Sequence, residues 1–311
     1  MTVLVLTCEE DVTADMVVSA LDDTGVPVVR LDPADLPGEV ALSAEYVQGD
    51  FQGHLAGGGR LVTMSGLRSI WIRRPGDPGA NAVEQSAWLT TESTHAFYGA
   101  LNCTGARWMN HPGAAAQARH KPWQLHVAHH CGFAVPPTLI TTFPQMAREF
   151  AGRYRDLVVK SVSGAHPSNP PMTLPTTRIA PDADFSGVAA GPTLLQQRVR
   201  KHADIRLTCV GQSMFAARKA SEPDLEQVDG RFTEDGRGWV PTGIPARIEK
   251  SVHAYMENAR LAYGAFDFAE DAEGTWWFLE CNQGGQFGFI ELETEQPIAQ
   301  AVASWLATGT S

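Results

Sequence analysis

The sequence predicts an α/β protein of several lobes, on three observations. Apolar runs without alternation are followed by helical stretches, the pattern of strands buried on both faces of a layered domain. The length of 311 residues, with 43% hydrophobic and 19% charged, suits two or three packed lobes and excludes disorder, collagen and coiled coil. The character of the chain also changes after Asn110-His111-Pro112-Gly113 and again near residue 191. The expected divisions are 1–110, 111–191 and 192–311.

Val3–Leu6 and Val26–Arg30 are the first buried strands. Between them, Asp11–Asp23 has Val12, Met16, Val17 and Leu21 at helical spacing and stops at Gly25, a residue suited to the position after a helix. This is a β-α-β opening. Ala41–Tyr46 and His54–Ala56, separated by glycine turns, read as a small hairpin, and Ser69–Arg73 as a further core strand. A helix over 81–103 and a short strand at Trp108–Asn110 complete the first lobe. Ala114–Cys131 is expected to be one helix ending at Gly132, and Asp156–Ser161 a strand. The stretch from Val162 to Gly191 is loop-rich around one or two short strands. The last lobe runs through strands Leu194–Val199, Ile205–Val210 and Gln212–Ala217, helix Ala246–Leu261 and a hairpin over 264–281.

Charge limits the partners. Twenty-four Lys and Arg against 35 Asp and Glu leave −11, with a pI near 5.3, which argues against nucleic acid and against an anionic membrane surface. Residues 1–110 carry −8 and residues 111–311 only −3, so any polyanion is bound locally in the second part. The five cysteines are odd in number and never paired as C-x-x-C, which indicates neither a disulfide framework nor a zinc ribbon and fits a reducing cytoplasm. Met1–Thr7 is too short an apolar run for a signal segment and meets Glu9, Glu10 and Asp11 at once. No run approaches the roughly 20 apolar residues of a membrane span.

The chemistry concentrates in the last hairpin. Tyr263-Gly264-Ala265-Phe266-Asp267-Phe268 is followed by a turn at Gly274 and by Trp276-Trp277-Phe278-Leu279-Glu280-Cys281-Asn282. The period of two puts Glu280 and Asn282 on one face and Cys281 on the other. Oxygen donors Asp267, Glu280 and Asn282 converging from adjacent strands suit Mg²⁺. Their apolar flanks make unpaired burial costly, which also favours a cation there. Lys160, closing the strand Leu157-Val158-Val159-Lys160 beside a small-residue loop with Ser163-Gly164, can pair with phosphates, and Lys121 stands on a helix about 40 residues earlier. Neither a Walker-type GxxxxGK motif nor GxGxxG occurs. In Leu195–Arg206, a basic stretch, either the charges form a solvated edge or Arg206 faces phosphates while Asp204 binds another polar group of the ligand.

These pieces stand in a familiar order. In Lys121, Val158-Val159-Lys160, Gln196-Gln197-Arg198-Val199, Asp204-Ile205-Arg206, Asp267 and Glu280-x-Asn282, the chain resembles the ATP-grasp superfamily over most of its length. Asp204-Ile205-Arg206 followed by Cys209-Val210-Gly211 and Phe215-Ala216-Ala217 is similar to the branch containing the ribosomal-protein glutamate ligase. Ser69-Ile70-Trp71-Ile72-Arg73-Arg74-Pro75 and Gly285-Gln286-Phe287-Gly288-Phe289-Ile290-Glu291 resemble the ATP-grasp ribosomal peptide maturases that make graspetides, the microviridin-like crosslinked peptides. Gln283 departs from the proline that many relatives carry after the asparagine.

The resemblance implies an ATP-grasp fold, with an N-terminal pre-ATP-grasp α/β domain and two lobes enclosing ATP. It implies ATP and Mg²⁺, with Lys121 and Lys160 at the phosphates, Ser163 among the nucleotide-binding residues, the Gln197, Arg198 and Val199 backbone facing adenine, Asp204 on the nucleotide, and Asp267, Glu280 and Asn282 as metal ligands. It implies catalytic roles for Arg206, Arg231 and Asp229, the last two in an Asp-x-Arg element, with the arginines gripping an acidic side chain. The implied substrate is a ribosomal precursor peptide, leader plus acidic core; a homodimer is allowed for. Asp or Glu side chains would be activated as acyl phosphates and closed onto Thr, Ser or Lys. Two other readings stand beside this one: ligation of a free amino acid or amine to a carboxylate, and a nucleotide-binding module without ligase activity. His126, His129 and His130, at i, i+3 and i+4 on one helix, are read as an exposed cluster, and Trp71, Trp276 and Trp277 as packing residues.

Overall fold

The computed structural model describes residues 1–83, 86–163, 175–221 and 238–310. The first domain holds a parallel sheet in the order β2-β1-β6-β7, from β1 (Thr2–Thr7), β2 (Val28–Leu31), β6 (Leu67–Arg74) and β7 (Arg107–Met109). Both faces of β1 are covered. Val3 and Val5 pack with Val17 and Leu21 of α1 (Val12–Asp23), whereas Leu4 and Leu6 pack with Phe97 and Leu101 of α2 (Ala87–Asn102). That two-sided burial is why the strand reads as an unbroken apolar run.

Between β2 and β6 the expected hairpin is a three-stranded antiparallel meander, β3 (Ala41–Val47), β4 (Asp50–Gly57) and β5 (Arg60–Thr63). Its two turns, Gln48-Gly49 and Gly58-Gly59, have positive φ at both residues, the requirement of tight turns whose twist matches the strands. The helix expected from residue 81 starts at Ala87, where Ser86 Oγ accepts the Leu89 N–H at 3.0 Å.

The single helix expected over Ala114–Cys131 is two, α3 (Pro112–Ala118) and α4 (Lys121–His130). Pro122 has no N–H to donate and its ring would collide with the carbonyl four residues back, so it stands in the first turn of a new helix. The Ala118 carbonyl instead accepts from Gln124 Nε2 at 2.7 Å. The central sheet is antiparallel, β10-β9-β11-β8, built from β8 (Thr138–Thr141), β9 (Leu157–Lys160), β10 (Thr177–Ile179) and β11 (Thr193–Gln197). The helix α5 (Pro144–Tyr154) covers it through Ala147, Phe150 and Ala151. That helix escaped sequence reading although its buried residues follow helical spacing behind an N-terminal proline.

The third sheet, also antiparallel, runs β14-β13-β12-β15-β16: β12 (Ala203–Val210), β13 (Ser213–Ala220), β14 (Val240–Pro241), β15 (Tyr263–Glu270) and β16 (Trp276–Asn282). One face packs on α6 (Ala246–Ala259) and on α3 and α4, around Ile205, Leu207, Tyr255, Phe266, Phe268 and Phe278. After β16 come α7 (Gly288–Thr294) and α8 (Ile298–Thr308). Chain order and packing part company here. α8 returns to the first domain, where Ile298, Val302 and Leu306 join Val3, Val5 and Val17. β11 lies in the central sheet, and α3 and α4 pack on the third.

Candidate functional site

The site begins with alternation along β12. Ala203, Ile205, Leu207 and Cys209 enter the core, so Asp204, Arg206 and Thr208 face the other way. Pairing then builds a row across three strands: Arg206 stands opposite Asp267 on β15, and Asp267 opposite Glu280 on β16. Asn282 follows on the same face, opposite Ala265. Cys281 is 1% exposed in the core, the orientation expected from the period of two. Its thiol is pushed well up by burial, so it is an inert packing group.

A cleft of 610 Å³ opens over this row. Asp204, Arg206, Asp267, Glu280 and Asn282 line it from the third sheet, Lys160, Gln197, Arg198 and Val199 from the central sheet and the segment after it, and Lys121 from α4. The structure therefore brings together all but three of the residues to which the resemblance gives a catalytic, nucleotide or metal role. Ser163 is exposed beside Ser161, 3.3 Å between hydroxyls, and is not part of the lining. Asp229 and Arg231 lie outside the described residues. Gln196, Lys201, Trp239, Gln286 and Phe289 line the cleft without having been assigned a role.

The cations are placed by specific partners. Lys160 Nζ donates to Gln196 Oε1 at 2.9 Å, and Gln196 Nε2 donates to Thr138 Oγ1 at 2.9 Å, a chain across β9, β11 and β8. Lys121 Nζ lies 3.4 Å from Glu280 Oε2 and donates to the Ser161 carbonyl at 3.2 Å, so one ammonium bridges the two lobes. Lys201 Nζ reaches both oxygens of Asp204, at 2.7 and 2.8 Å. The Arg198 side chain pairs with Asp156 at 3.2 Å.

Arg206, for which the resemblance implies a grip on an acidic side chain, also has partners within the protein. Its Nη1 donates to Asp267 Oδ1 at 2.7 Å and its Nη2 to the Gln286 carbonyl at 2.8 Å. Burial alone would lower its pKa, but Asp267, Tyr263 and Glu280 outweigh burial and raise it. The guanidinium is a fixed positive charge beside the two carboxylates.

Whether the donor set suits Mg²⁺ is decided by its chemistry. Two carboxylates and one amide oxygen on neighbouring positions of a single sheet face are hard oxygen donors of the kind Mg²⁺ takes, with the rest of its octahedron left to phosphate and water. The Gly284 N–H donates to Asn282 Oδ1 at 3.1 Å, which fixes the amide. One part of the expectation needs correcting: the Asp267 and Glu280 side chains are 33% and 28% exposed and pair with Arg206 and Lys121. Unpaired burial is thus no argument for the metal; the donor set is. Elsewhere His126, His129 and His130 are exposed, and among the described residues no group of three or more His, Cys, Asp or Glu is arranged to hold a metal. Trp71 and Trp276 are buried core residues.

Known proteins bear on this geometry in two ways. The model of the MvdD pre-ATP grasp domain matches residues 2–115, and no curated protein matches the sequence. Among solved structures, macrocyclase MdnC bound with precursor peptide MdnA from Microcystis aeruginosa MRC superposes with a TM-score of 0.86 at 26% identity, over 99% of this chain and 100% of that one. Macrocyclase MdnB from the same organism gives 0.82 at 26% identity over 99% of each chain. A Chryseobacterium gregarium RiPP-associated ATP-grasp ligase in complex with ADP and a leader and core peptide gives 0.86 at 22% identity, over 100% and 97%. The fold spans the whole length, the domain model covers the first part, and the cleft lies between the lobes that follow: the chain has an ATP-grasp fold, and its residues 2–115 are similar to the MvdD pre-ATP grasp domain.

Proposed function

We propose that this protein is an ATP-dependent carboxylate ligase that crosslinks side chains within a ribosomal precursor peptide. The observation that carries the reading is the cleft itself, in which Lys160 of the central sheet and Lys121 of α4 face Asp267, Glu280 and Asn282 of the third sheet. The whole-length similarity to MdnC and MdnB, whose names record macrocyclase activity, supports the same reading.

ATP lies between the two lobes, with its phosphates at Lys121 and Lys160, the Gln197–Val199 backbone at adenine and Asp204 on the nucleotide. Asp267, Glu280 and Asn282 would hold Mg²⁺, which when bound would neutralise charge at the transferring phosphoryl group. An Asp or Glu carboxylate oxygen of the peptide attacks the γ-phosphorus; the bond to the β-phosphate oxygen breaks and ADP leaves. A Thr or Ser hydroxyl, or a Lys amine, of the same peptide then attacks the acyl carbon, losing its proton, and phosphate departs with formation of an ester or amide. Holding nucleophile and electrophile in one chain raises their effective concentration, which lets a weak hydroxyl compete with water. Arg206 contributes fixed positive charge at the site; Arg231 is assigned to the acidic side chain by the sequence resemblance. Five free cysteines fit a cytoplasmic enzyme, and no described helix is long and apolar enough to cross a membrane.

Incubation with ATP, Mg²⁺ and a cognate precursor is expected to remove the mass of one water per crosslink, read by mass spectrometry. A mass increase would instead establish addition of a free amino acid or amine, and ADP release at background with every acidic peptide would establish a nucleotide-binding module. Lys160→Ala is expected to weaken ATP binding by about 10- to 100-fold, since hydrogen bonds to charged groups are worth about 1.5–3 kcal/mol. Calorimetry showing unchanged nucleotide affinity would remove Lys160 from the phosphate site.

A further inference from the structure

The segment after Asn282 is held from behind by three buried donors on three successive carbonyls. Arg73 Nη1 donates to Gly284 O at 2.6 Å, Tyr263 Oη to Gly285 O at 2.7 Å and Arg206 Nη2 to Gln286 O at 2.8 Å. Arg73 comes from β6 of the first domain, where it is 7% exposed and lies 3.4 Å from Asp11 Oδ2; Asp11 also accepts from Thr7 Oγ1 at 2.9 Å. A second residue at the end of that domain, Asn110, is 4% exposed and spends its whole amide on the same region. Its Nδ2 donates to Tyr263 O at 2.7 Å and Gln283 O at 2.8 Å, and its Oδ1 accepts from Ala262 N at 2.7 Å and Tyr263 N at 2.9 Å. One side chain thus joins the start of β15 to the residue that follows Asn282. The front of the segment faces the cleft through Gln286. Gly285 leaves no room to shift, because a Cβ there would stand 2.7 Å from both Arg206 Nη2 and Ala265 Cβ.

We propose that Arg73 and Asn110 of the first domain are positioning residues that hold Asn282 and the 283–286 segment against the cleft wall. They touch neither nucleotide nor reacting atoms. Misplacement of a site group by about 1 Å can cost on the order of 100-fold in rate, and a site is only as accurate as the shell that supports it. The catalytic half of the proposal rests on the ligase reading; the clamp itself does not.

Hydrogen exchange of the chain without ligands therefore comes first. In Arg73→Met the Gly284 and Gly285 amides, which donate to Asn282 Oδ1 and Asn282 O, are expected to exchange at least about tenfold faster, as local opening requires. In Asp11→Asn, which removes the negative charge beside Arg73 in its own domain and keeps the bond to Gly284, they are expected to stay within about twofold even where thermal stability falls as far. Turnover in Arg73→Met is expected to drop about tenfold in kcat with the KM for ATP within about twofold, because the central-lobe contacts to nucleotide are untouched. Unchanged exchange in folded Arg73→Met, or equal acceleration by Asp11→Asn, overturns the proposal. Should Arg73→Met fail to fold, Arg73→Lys, which keeps the charge and loses the fork, is judged by the same exchange criterion. Faster exchange with a peptide that is never crosslinked would leave the clamp standing and remove the ligase reading.

Discussion

Replacing Glu280 with Gln is expected to cut ADP release by about 100- to 1,000-fold while leaving the fold intact. Gln keeps the shape and removes the charge. The lost ion pair with Lys121, 3.4 Å long between side chains 18% and 28% exposed, is worth at most about 1 kcal/mol, so the melting temperature should move little. The chemical loss is larger, because Glu280 is one of two carboxylates in the oxygen donor set, and removing one preorganised charge-stabilising group typically costs about 100- to 1,000-fold in rate. ADP release at saturating ATP and Mg²⁺, with melting followed in parallel, checks both halves. A variant that turns over at the parent rate would remove Glu280 from the metal site.

Arg206→Met is expected to lose both activity and stability. Methionine fills the stem of the side chain but leaves the Gln286 carbonyl without its donor and Asp267 without its cation. Breaking a buried pair costs about 3–5 kcal/mol; since the Asp267 side chain is 33% exposed, about 2–4 kcal/mol is expected here, measured by denaturant unfolding. Arg206→Lys should recover only part, because one ammonium cannot span two acceptors that the fork reaches with separate nitrogens. Full stability in Arg206→Met would show that the row across β12, β15 and β16 does not depend on its central charge.

The two variants also show what was legible in the sequence. Asp267, Glu280 and Asn282 stood out because alternation within a strand is a local property. So did the two-sided burial of β1 and the lysine closing β9. The row Arg206-Asp267-Glu280 was not legible, because it depends on register between strands 61 residues apart in sequence. Without that register the pairing of Arg206 with Asp267 could not be read. The return of α8 to the first domain and the placement of β11 in the central sheet are likewise products of packing between distant segments. The break between α3 and α4 was different: Pro122 carried the signal in plain view, and helical periodicity on either side masked it. Arg73 and Asn110 carried no local signal of their role, since each acts on backbone atoms more than 150 residues away.

The proposed reaction activates a side-chain carboxylate by phosphoryl transfer from ATP in this cleft. It is tested most directly by labelling the Asp and Glu carboxylates of a cognate precursor with heavy oxygen and following the label through one round of crosslinking. Attack on the γ-phosphorus followed by displacement of phosphate at the acyl carbon puts one labelled oxygen into inorganic phosphate for each bond formed, with ADP unlabelled. Phosphate free of label alongside crosslinked peptide, or label appearing in a nucleotide product, would contradict the account.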